Sequence, residues 1–466
     1  LGGVGGAFVL GCLRRVVVIS GVGPVSALGH GREAFWSGLV RGRCGLGELS
    51  VLDASGFRTG VGGQVPEFDI RQHVPKGYRK STKVMARDIE LAVLSGELAV
   101  RDAGIKTRDG GLAVEEGGYE MAGDRLGCHI GAGLIAAETE ELARALASSA
   151  DEDGWDLGAW GTIEPGGSGM NGLPPLWLLK YLPNMLACHV TIIHGATGPS
   201  NTILSSEASG LLCAIESARV IARGDADACL TGGAESKLNP MGLVRIGLSG
   251  RLADAPSGTD AGAVGRPFDV DAPGGLVGEG SGSVVMEERE HAVARGARVL
   301  AEVRGFGAAM APRPVNASFY GGEPASEAER GPDLGLERAV RGALAKAGLE
   351  AGDVDAIVPL AHGSRRTDDP ERGALAQVFG DRLGSIPAIT LPPMLGNTMA
   401  GQGGLMLIAG ALAIAEQKLP ARLHAGKASG LDAGAAGSRD AELGHVLVCA
   451  TGMGGQSAAV VLGRAG

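Results

Sequence analysis

Short apolar runs alternate with helical segments along almost the whole chain, and this alternation most restricts its fold. The run VVVIS at 16–20 is continuous and β-branched, and glycines 21 and 23 are predicted to end it, which is typical of a strand buried on both faces. Further strands are predicted at 125–133, 201–206, 228–232, 284–287, 299–305, 354–360, 446–450 and 458–462. Helices are predicted at 32–40, 83–103, 136–149, 175–193, 209–222, 336–347 and 406–417. The pattern indicates an α/β fold with buried, largely parallel sheets.

Composition narrows the class of protein further. Hydrophobic residues make up 44% of the 466 residues but aromatics only 3%, with 81 glycines, so the core is expected to be aliphatic. A formal net charge of -10 argues against broad nucleic-acid binding. The seven cysteines are scattered without a CxxC or zinc-like spacing, which favours reduced thiols in the cytoplasm and neither a metal nor another cofactor. The sequence contains no uninterrupted apolar run long enough to predict a membrane span.

Two segments fall outside the regular alternation. Residues 1–13 (LGGVGGAFVLGCL) are predicted to be a disordered extension; the alternative, a lipoprotein-type cleavage site ending at Cys12, lacks a basic flank. Residues 151–176 are turn-rich and are predicted to run irregularly over the surface. The strand and helix pattern repeats on either side of about residue 265, which predicts two similar halves at 14–265 and 266–466.

The most informative segment is GPSNTILSSEASG at 198–210. A predicted strand runs into a tight turn and then a helix, so Glu207 is expected at a helix N-terminus. Backbone N–H groups and the helix dipole favour negative charge there, and enzymes use such a position to generate a cysteine thiolate. Taken alone, an acid at this place is equally well explained as a stabilising helix-terminal charge.

At these residues the chain resembles the elongating β-ketoacyl synthases that act on acyl carrier proteins, within the thiolase superfamily. The shared motifs are GPS at 198–200, GDAD at 224–227, GGAE at 232–235, RPFD at 266–269, GEGSG at 278–282 and AHG at 361–363. The resemblance runs in order over about residues 14–464. It implies a duplicated, five-layered α-β-α-β-α thiolase fold and a dimer, either a homodimer or a heterodimer with an active ketosynthase.

The resemblance also assigns the site residues, and only one of four catalytic groups is kept. Glu207 occupies the position of the nucleophilic cysteine, Asn397 that of the supporting lysine and Gln402 that of the second histidine, whereas His362 matches the first histidine. The positions expected to bind substrate are Ser206, Ala208, Met453, Gly454 and Gly455, with Met453 where the family has a gating phenylalanine.

These replacements separate four functional hypotheses. A carboxylate is a poor acceptor of an acyl group from a thioester, so the leading hypothesis is a protein of fatty-acid or polyketide biosynthesis that cannot condense and that shapes the pocket of an active synthase, as chain-length factors do. Residues 151–180 and the Met453 region would line the acyl tunnel. The rival is a malonyl- or acyl-carrier-protein processing enzyme that uses His362 and Gln402 to hold an enolate oxygen. An acyl-binding protein that acts alone, or a synthase with an atypical site, stays possible.

An ionised Glu207 would repel the negative charge of that enolate. At a separation of about 5 Å and an effective dielectric of about 20, the repulsion is roughly 3 kcal/mol. A buried, protonated Glu207 would remove the objection, and the sequence leaves both open.

Weaker signals have simpler explanations. Cys213 and Cys188 are expected to be core thiols rather than substitute nucleophiles, and GAG at 131–133 only partly matches a dinucleotide fingerprint. Lys76, Arg79 and Lys80 form a basic cluster that is either a solvated helix entrance or, as the resemblance implies, the docking surface for an acidic acyl carrier protein.

Overall fold

A ten-stranded mixed sheet forms the centre of the structure, a computed structural model that describes residues 15–161, 169–311, 331–424 and 426–465. Its nine longer strands are β1 (Val17–Ser26), β2 (Leu126–Gly131), β3 (Ser200–Ile203), β4 (Ala228–Ser236), β5 (Glu279–Glu288), β6 (Ala301–Met310), β7 (Ala356–Val358), β8 (His445–Thr451) and β9 (Gln456–Gly463). They are ordered β3-β2-β4-β5-β1-β6-β9-β8-β7, and the short strand Gly29–His30 pairs with β1. Other two-residue strands are Gly47–Glu48, Val61–Gly62, Ile105–Lys106, Tyr119–Glu120, Ala150–Asp151, Gly154–Trp155, Lys418–Leu419 and Arg439–Asp440.

Twelve α-helices lie in the described residues. They are α1 (Gly31–Arg41), α2 (Arg87–Asp102), α3 (Thr139–Ala147), α4 (Leu157–Gly161), α5 (Met185–His194), α6 (Ser209–Arg223), α7 (Pro240–Leu248), α8 (Arg289–Ala294), α9 (Leu334–Ala347), α10 (Arg365–Phe379), α11 (Pro392–Leu395) and α12 (Gln402–Glu416).

The elements stack in five layers. The sheet divides into two halves, which are joined at β1 and β6 by the pairs Val18 with Glu302 and Ile19 with Ala301. Helices α6 and α12 lie between the halves, α2 covers the outer face of β1, β4 and β5, and α9 covers the outer face of β6 and β9. This arrangement confirms the expected five-layered thiolase fold.

The expectation of largely parallel sheets was wrong. Among the longer strands, β2 with β3, β2 with β4 and β7 with β8 are parallel, whereas the ladders of β1 with β5, β1 with β6, β4 with β5, β6 with β9 and β8 with β9 are antiparallel. A continuous apolar run indicates that helices cover both faces of a strand. Because parallel and antiparallel strands can both be buried in this way, the run does not reveal the strand direction.

Strand β1 also continues through the two glycines that were predicted to end it. A Cβ on Gly23 would lie 2.1 Å from the carbonyl oxygen of Ser95, and one on Gly21 would lie 2.5 Å from that of Ala99. Helix α2 therefore packs directly on the strand backbone, and the glycines serve this contact rather than a turn.

Several other boundaries differ from the predictions. The helix predicted at 175–193 is α-helical only over α5, and a 3₁₀ helix at Trp177–Lys180 precedes it, because Pro183 interrupts the segment and Leu176 has a positive φ of 63°. Helix α2 begins at Arg87, after a 3₁₀ turn over Ser81–Val84, and α12 begins four residues before the predicted 406. Helices α4, α7, α8, α10 and α11 were not predicted, and α4 lies in the segment that was expected to be irregular. The predicted extension at 1–13 and part of the predicted surface segment, 162–168, lie outside the described residues.

Within the described residues, one helical segment is long and apolar enough to cross a membrane by length and composition. Residues Met399–Glu416 have a mean hydropathy of 1.4 over 18 residues, but 89% of that window is buried between the two halves of the sheet. A core helix of a globular domain has the same composition, so its burial accounts for the apolar side chains.

Candidate functional site

A tight turn between β3 and α6 carries Glu207. The turn includes a 3₁₀ segment, Ser206–Ala208, and Ser206 adopts a positive φ of 53°. The backbone of Gly452 packs against this turn so closely that a Cβ there would lie 2.1 Å from the carbonyl oxygen of Ser205. Glu207 lies just before the N-terminus of α6, as the sequence predicted, and it is completely buried.

Two side chains hold the Glu207 carboxylate through the same oxygen. Arg251 Nη2 donates to Glu207 Oε1 at 2.5 Å, and Asn397 Nδ2 donates to it at 2.9 Å. The Arg251 side chain is only 8% exposed, so this is an ion pair taken out of water. Such a pair compensates the cost of burying either charge alone.

The pair decides the protonation state that the sequence left open. Burial raises the pKa of Glu207, but the charge of Arg251, the proximity of His362 and the Asn397 hydrogen bond outweigh it and lower the pKa to about 2. Glu207 is therefore ionised at neutral pH. Arg251 offsets its negative charge.

His362 lies on a loop that two buried carboxylates hold in place. Glu371 accepts hydrogen bonds from the backbone N–H groups of Leu360 and Ala361, and Asp368 accepts one from Gly363. Ala361 has a positive φ of 50°, a conformation that needs such support.

The His362 ring is packed against backbone and is uncharged. A Cβ on Gly275 would lie 2.3 Å from its Cε1 atom, so the ring rests on that glycine. Burial and the nearby Arg251 charge lower the pKa of His362 to about 3, although Glu207 opposes this. The neutral imidazole retains one N–H that can donate a hydrogen bond.

Asn397 and Gln402 lie at the two ends of a turn that leads into α12. Asn397 Oδ1 accepts from the backbone N–H of Met399, whose φ is 50°, which orients the amide nitrogen toward Glu207. Gln402 Oε1 accepts from the backbone N–H and the hydroxyl of Thr398, both at 3.1 Å. The amide nitrogen of Gln402 is therefore left to donate elsewhere.

Within the described residues, several buried polar atoms of this pocket have no hydrogen-bond partner. They are Glu207 Oε2, Arg251 Nε, Arg251 Nη1, His362 Nδ1 and Gln402 Nε2. An unpaired buried polar group costs about 1–3 kcal/mol, so their concentration in one place is typical of a binding pocket rather than of a structural core.

The positions expected to bind substrate lie around the same turn. Ala208 is buried beside Glu207, and Ser206 is partly exposed. Gly454 and Gly455 belong to the turn between β8 and β9 that packs on the Glu207 turn. Met453 packs against an apolar cluster that includes Leu49, Leu238, Leu243, Ile246, Val277 and Met399. The structure thus brings these residues together, and their roles in binding stay predictions.

The predicted basic cluster lies on the surface. Lys76, Arg79 and Lys80 are exposed, as is Lys83 in the next turn. Between them, the hydroxyl of Tyr78 forms a hydrogen bond of 2.8 Å with Nδ1 of the buried His189, which anchors the segment to α5. The cluster is therefore presented on a fixed backbone.

The weaker sequence signals are accounted for by packing. Cys213 is completely buried in α6, and burial raises the pKa of its thiol far above neutrality. Cys188 lies in α5, where its sulfur accepts from Asn184 Nδ2 at 3.7 Å. The glycines at 131 and 133 lie against Ser209 and Glu235, so protein atoms fill the space that a phosphate would need. Among the described residues, no group of three or more His, Cys, Asp or Glu side chains could hold a metal.

Sequence reasoning missed two residues that organise the site. Arg251 was not among the predicted site residues, although a buried acid at 207 requires a neighbouring cation. Glu235 accepts from the backbone N–H of Ala400 at 2.9 Å and pairs with Lys237, so it fixes the turn that carries Asn397 and Gln402.

Comparison with known proteins places this geometry in a family. A family model described as "Beta-ketoacyl synthase, N-terminal domain" matches residues 14–292, and "Beta-ketoacyl synthase, C-terminal domain" matches residues 318–426. The chain is 27% identical over 453 residues to 3-oxoacyl-(acyl-carrier-protein) synthase 2 of Staphylococcus aureus (strain COL), covering 96% of this chain and 98% of that protein.

Two further proteins are similar to this chain over most of its length. The chain is 26% identical over 411 residues to 3-oxoacyl-(acyl-carrier-protein) synthase 2 of Synechocystis sp., covering 88% of each protein. Among solved structures, the ishigamide ketosynthase/chain length factor superposes with a TM-score of 0.77 at 25% identity, covering 97% of this chain and 100% of that one.

The buried ion pair predicts a strong thermodynamic coupling. Replacing Arg251 by Met leaves the Glu207 charge buried and unpaired, which should lower the free energy of unfolding by about 3–5 kcal/mol. Combining Arg251→Met with Glu207→Gln should cost at least about 1 kcal/mol less than the sum of the two single changes. Urea unfolding of the four proteins measures this coupling.

A surface ion pair provides the matched control. Arg58 Nη2 lies 2.9 Å from Asp254, but the Arg58 side chain is 84% exposed, so Arg58→Met should cost less than about 1 kcal/mol. An Arg251→Met variant as stable as Arg58→Met would contradict the description of the site.

The lowered pKa of Glu207 predicts a pH dependence. The carboxyl has a pKa of about 2 in the folded protein against a usual 4.5, so the stability that its ionised form contributes is full above the usual pKa and is lost as pH falls through the folded value. The difference in unfolding free energy between the wild type and Glu207→Gln should stay constant at neutral pH and shrink below about pH 4.5. A difference that grows on acidification would show that Glu207 is protonated in the native state.

Proposed function

Because this chain belongs to the β-ketoacyl synthase family, we propose that it is a synthase-like protein of fatty-acid or polyketide biosynthesis that does not condense acyl chains itself and that pairs with an active synthase, as a chain-length factor does. The observation that carries the proposal is the Glu207 carboxylate, which is buried, ionised and held by Arg251 and Asn397. It stands where the resemblance places the acyl-accepting thiol.

The contacts of Glu207 argue against covalent loading. Attack on a thioester by this carboxylate would give an anhydride, which is less stable than the thioester, and would also break the ion pair with Arg251. Cys213 in α6 does not take over, because its thiol is buried and protonated. Neither Asn397 nor Gln402 can supply the charge or the proton of the lysine and histidine that the family uses.

An exposed sheet edge supports a role in a dimer. Within the described residues, β3 pairs only with β2, so its other edge carries unpaired backbone groups. Leu204, directly after β3, is 53% exposed and Ile192 on α5 is 48% exposed. An exposed edge next to apolar side chains is a ready surface for another subunit. The likeness to the ishigamide ketosynthase/chain length factor favours a ketosynthase in that place.

The remaining parts of the proposal concern substrate and location. The exposed cations Lys76, Arg79 and Lys80 would attract an acidic acyl carrier protein to this side of the molecule. The apolar cluster around Met453 would line the acyl tunnel; residues 162–168 of the segment at 151–180, which was expected to line it as well, lie outside the described residues. The predicted halves at 14–265 and 266–466 and the cytoplasmic location belong to the same proposal.

Pairing with a synthase is tested by size-exclusion chromatography of the purified chain with candidate synthases. We expect a heterodimer with one of them and labelled acyl groups on the synthase subunit only. Glu207→Cys alone should not restore condensation, because Asn397 and Gln402 also differ from the family. Full synthase activity of this variant, or a homodimer that excludes every candidate synthase, would contradict the proposal.

One observation favours the rival decarboxylase. His362 Nδ1 and Gln402 Nε2 have no partner among the described residues, and Arg251 offsets the negative charge of Glu207 that would otherwise oppose an enolate. Two such donors could hold a developing oxyanion, with removal of one costing about 100-fold or more in rate.

The rival predicts carbon dioxide release from malonyl-carrier protein by the isolated chain. His362→Ala should reduce the release by about 100-fold, whereas Cys213→Ala, a change at another buried side chain, should leave it within a few-fold of the wild type. Absence of release by the wild-type chain would eliminate this activity.

A further inference from the structure

A second cavity lies at the end of α6 opposite Glu207. It has a volume of about 690 Å³ and is bounded by the start of β1, the last turns of α6 and α9, and the first half of β6. Arg219 is ten residues beyond Ser209 along α6, which corresponds to about 15 Å of helix. The cavity, here called the basic groove, is thus separate from the Glu207 pocket. Its volume is within the range of small-molecule sites, about 300–1,000 Å³.

The lining of the basic groove is strongly positive. The cationic members are Arg15, Arg219, Arg223, Arg304 and Lys346, and the one carboxylate of the lining is Glu302. Five cations and one carboxylate line the groove, in a chain whose net charge is -10. Glu302 pairs with Arg304 at 2.8 Å, and counting the three neighbouring carboxylates that pair with the other arginines leaves a net excess of one positive charge. Such a local reversal of sign attracts anions and repels cations.

Carboxylates next to the basic groove hold its arginines in place. Arg15 lies 3.0 Å from Asp227, Arg223 lies 2.9 Å from Asp225 and Arg219 lies 3.7 Å from Glu216. These three carboxylates do not belong to the lining. Each guanidinium has five N–H donors, so one ion pair fixes the group and leaves donors for a ligand. Because these guanidinium groups are held in place before a ligand binds, the entropy cost of binding is smaller.

The rest of the lining is apolar. Val16, Val17, Ala218, Ala222 and Val303 lie between the charged residues. Phe306 lies beneath two cations, with Lys346 Nζ 3.4 Å and the Arg219 guanidinium 5.6 Å from the ring centre. The cavity therefore combines a cationic rim with an apolar floor, which suits a ligand with a compact anionic group and an apolar part.

We infer that the basic groove binds an organic diphosphate. A diphosphate presents two anionic groups that these guanidinium groups can bind at once, whereas a carboxylate presents one. Arginine also pairs with phosphate through two parallel hydrogen bonds. The apolar floor takes the organic part, which can be a nucleoside or a hydrocarbon chain. This site is independent of the proposed function.

Isothermal titration calorimetry of the full chain tests the inference, with ADP and geranyl diphosphate as probes and laurate as the monoanionic comparison. We expect at least one diphosphate to bind in the micromolar range and more tightly than laurate. Arg219→Gln and Arg304→Gln should each weaken binding about tenfold or more, equivalent to about 1.4 kcal/mol. Raising the salt concentration should weaken it as well.

Arg101→Gln is the matched control. Arg101 is 53% exposed and pairs with Glu97 within α2, as the 49%-exposed Arg219 pairs with Glu216 within α6. The inference is overturned by absence of binding of both diphosphates at millimolar concentration, by affinities that none of the groove substitutions changes, or by laurate binding as tightly as the diphosphates. If a variant fails to fold, the salt dependence of diphosphate binding to the wild type tests the inference instead, and binding that salt does not weaken would contradict it.

Discussion

The ion pair between Glu207 and Arg251 is the interaction on which the candidate site depends. A carboxylate with no exposed surface cannot stay ionised without a cation, and Arg251 supplies it at 2.5 Å. The same arginine is tied to the rest of the pocket through its backbone, because its carbonyl oxygen accepts from Gly275, the residue on which the His362 ring rests. One pair thus sets the charge of the pocket and the position of its remaining histidine.

Strained backbone surrounds this pair. Ser206, Ala361 and Met399 each have a positive φ although none is a glycine, and each lies within three residues of a predicted site residue. Such conformations cost of order 1–3 kcal/mol and persist where the surroundings enforce them. Here the enforcing contacts are the carboxylates of Glu371 and Glu235, which accept from the adjacent backbone. The pocket therefore keeps a rigid geometry.

Much of this arrangement could be predicted from the sequence. The features that could not be predicted depend on contacts between residues that are far apart in the chain. Helix α6 and the position of Glu207 at its start could be predicted, since the strand, turn and helix signals all lie within about twenty residues. Strand direction could not, because burial on both faces gives the same apolar run in either sense. The continuation of β1 through Gly23 depends on contact with Ser95, and the role of Arg251 depends on its contact with Glu207. Both pairs are far apart in the chain, and no local pattern marks them.

The narrow junction between the two halves of the sheet has a consequence for how the molecule responds to a partner. Only two residue pairs join β1 to β6, whereas Glu207 and Asn397, which meet at 2.9 Å, come from opposite sides of that junction in the chain. The halves do not rely on this junction alone, because one hydrophobic core that includes α6, α12 and strands of both halves lies between them. A partner that docks at the β3 edge would therefore meet a structure in which the contact between residues 207 and 397 is held from both sides.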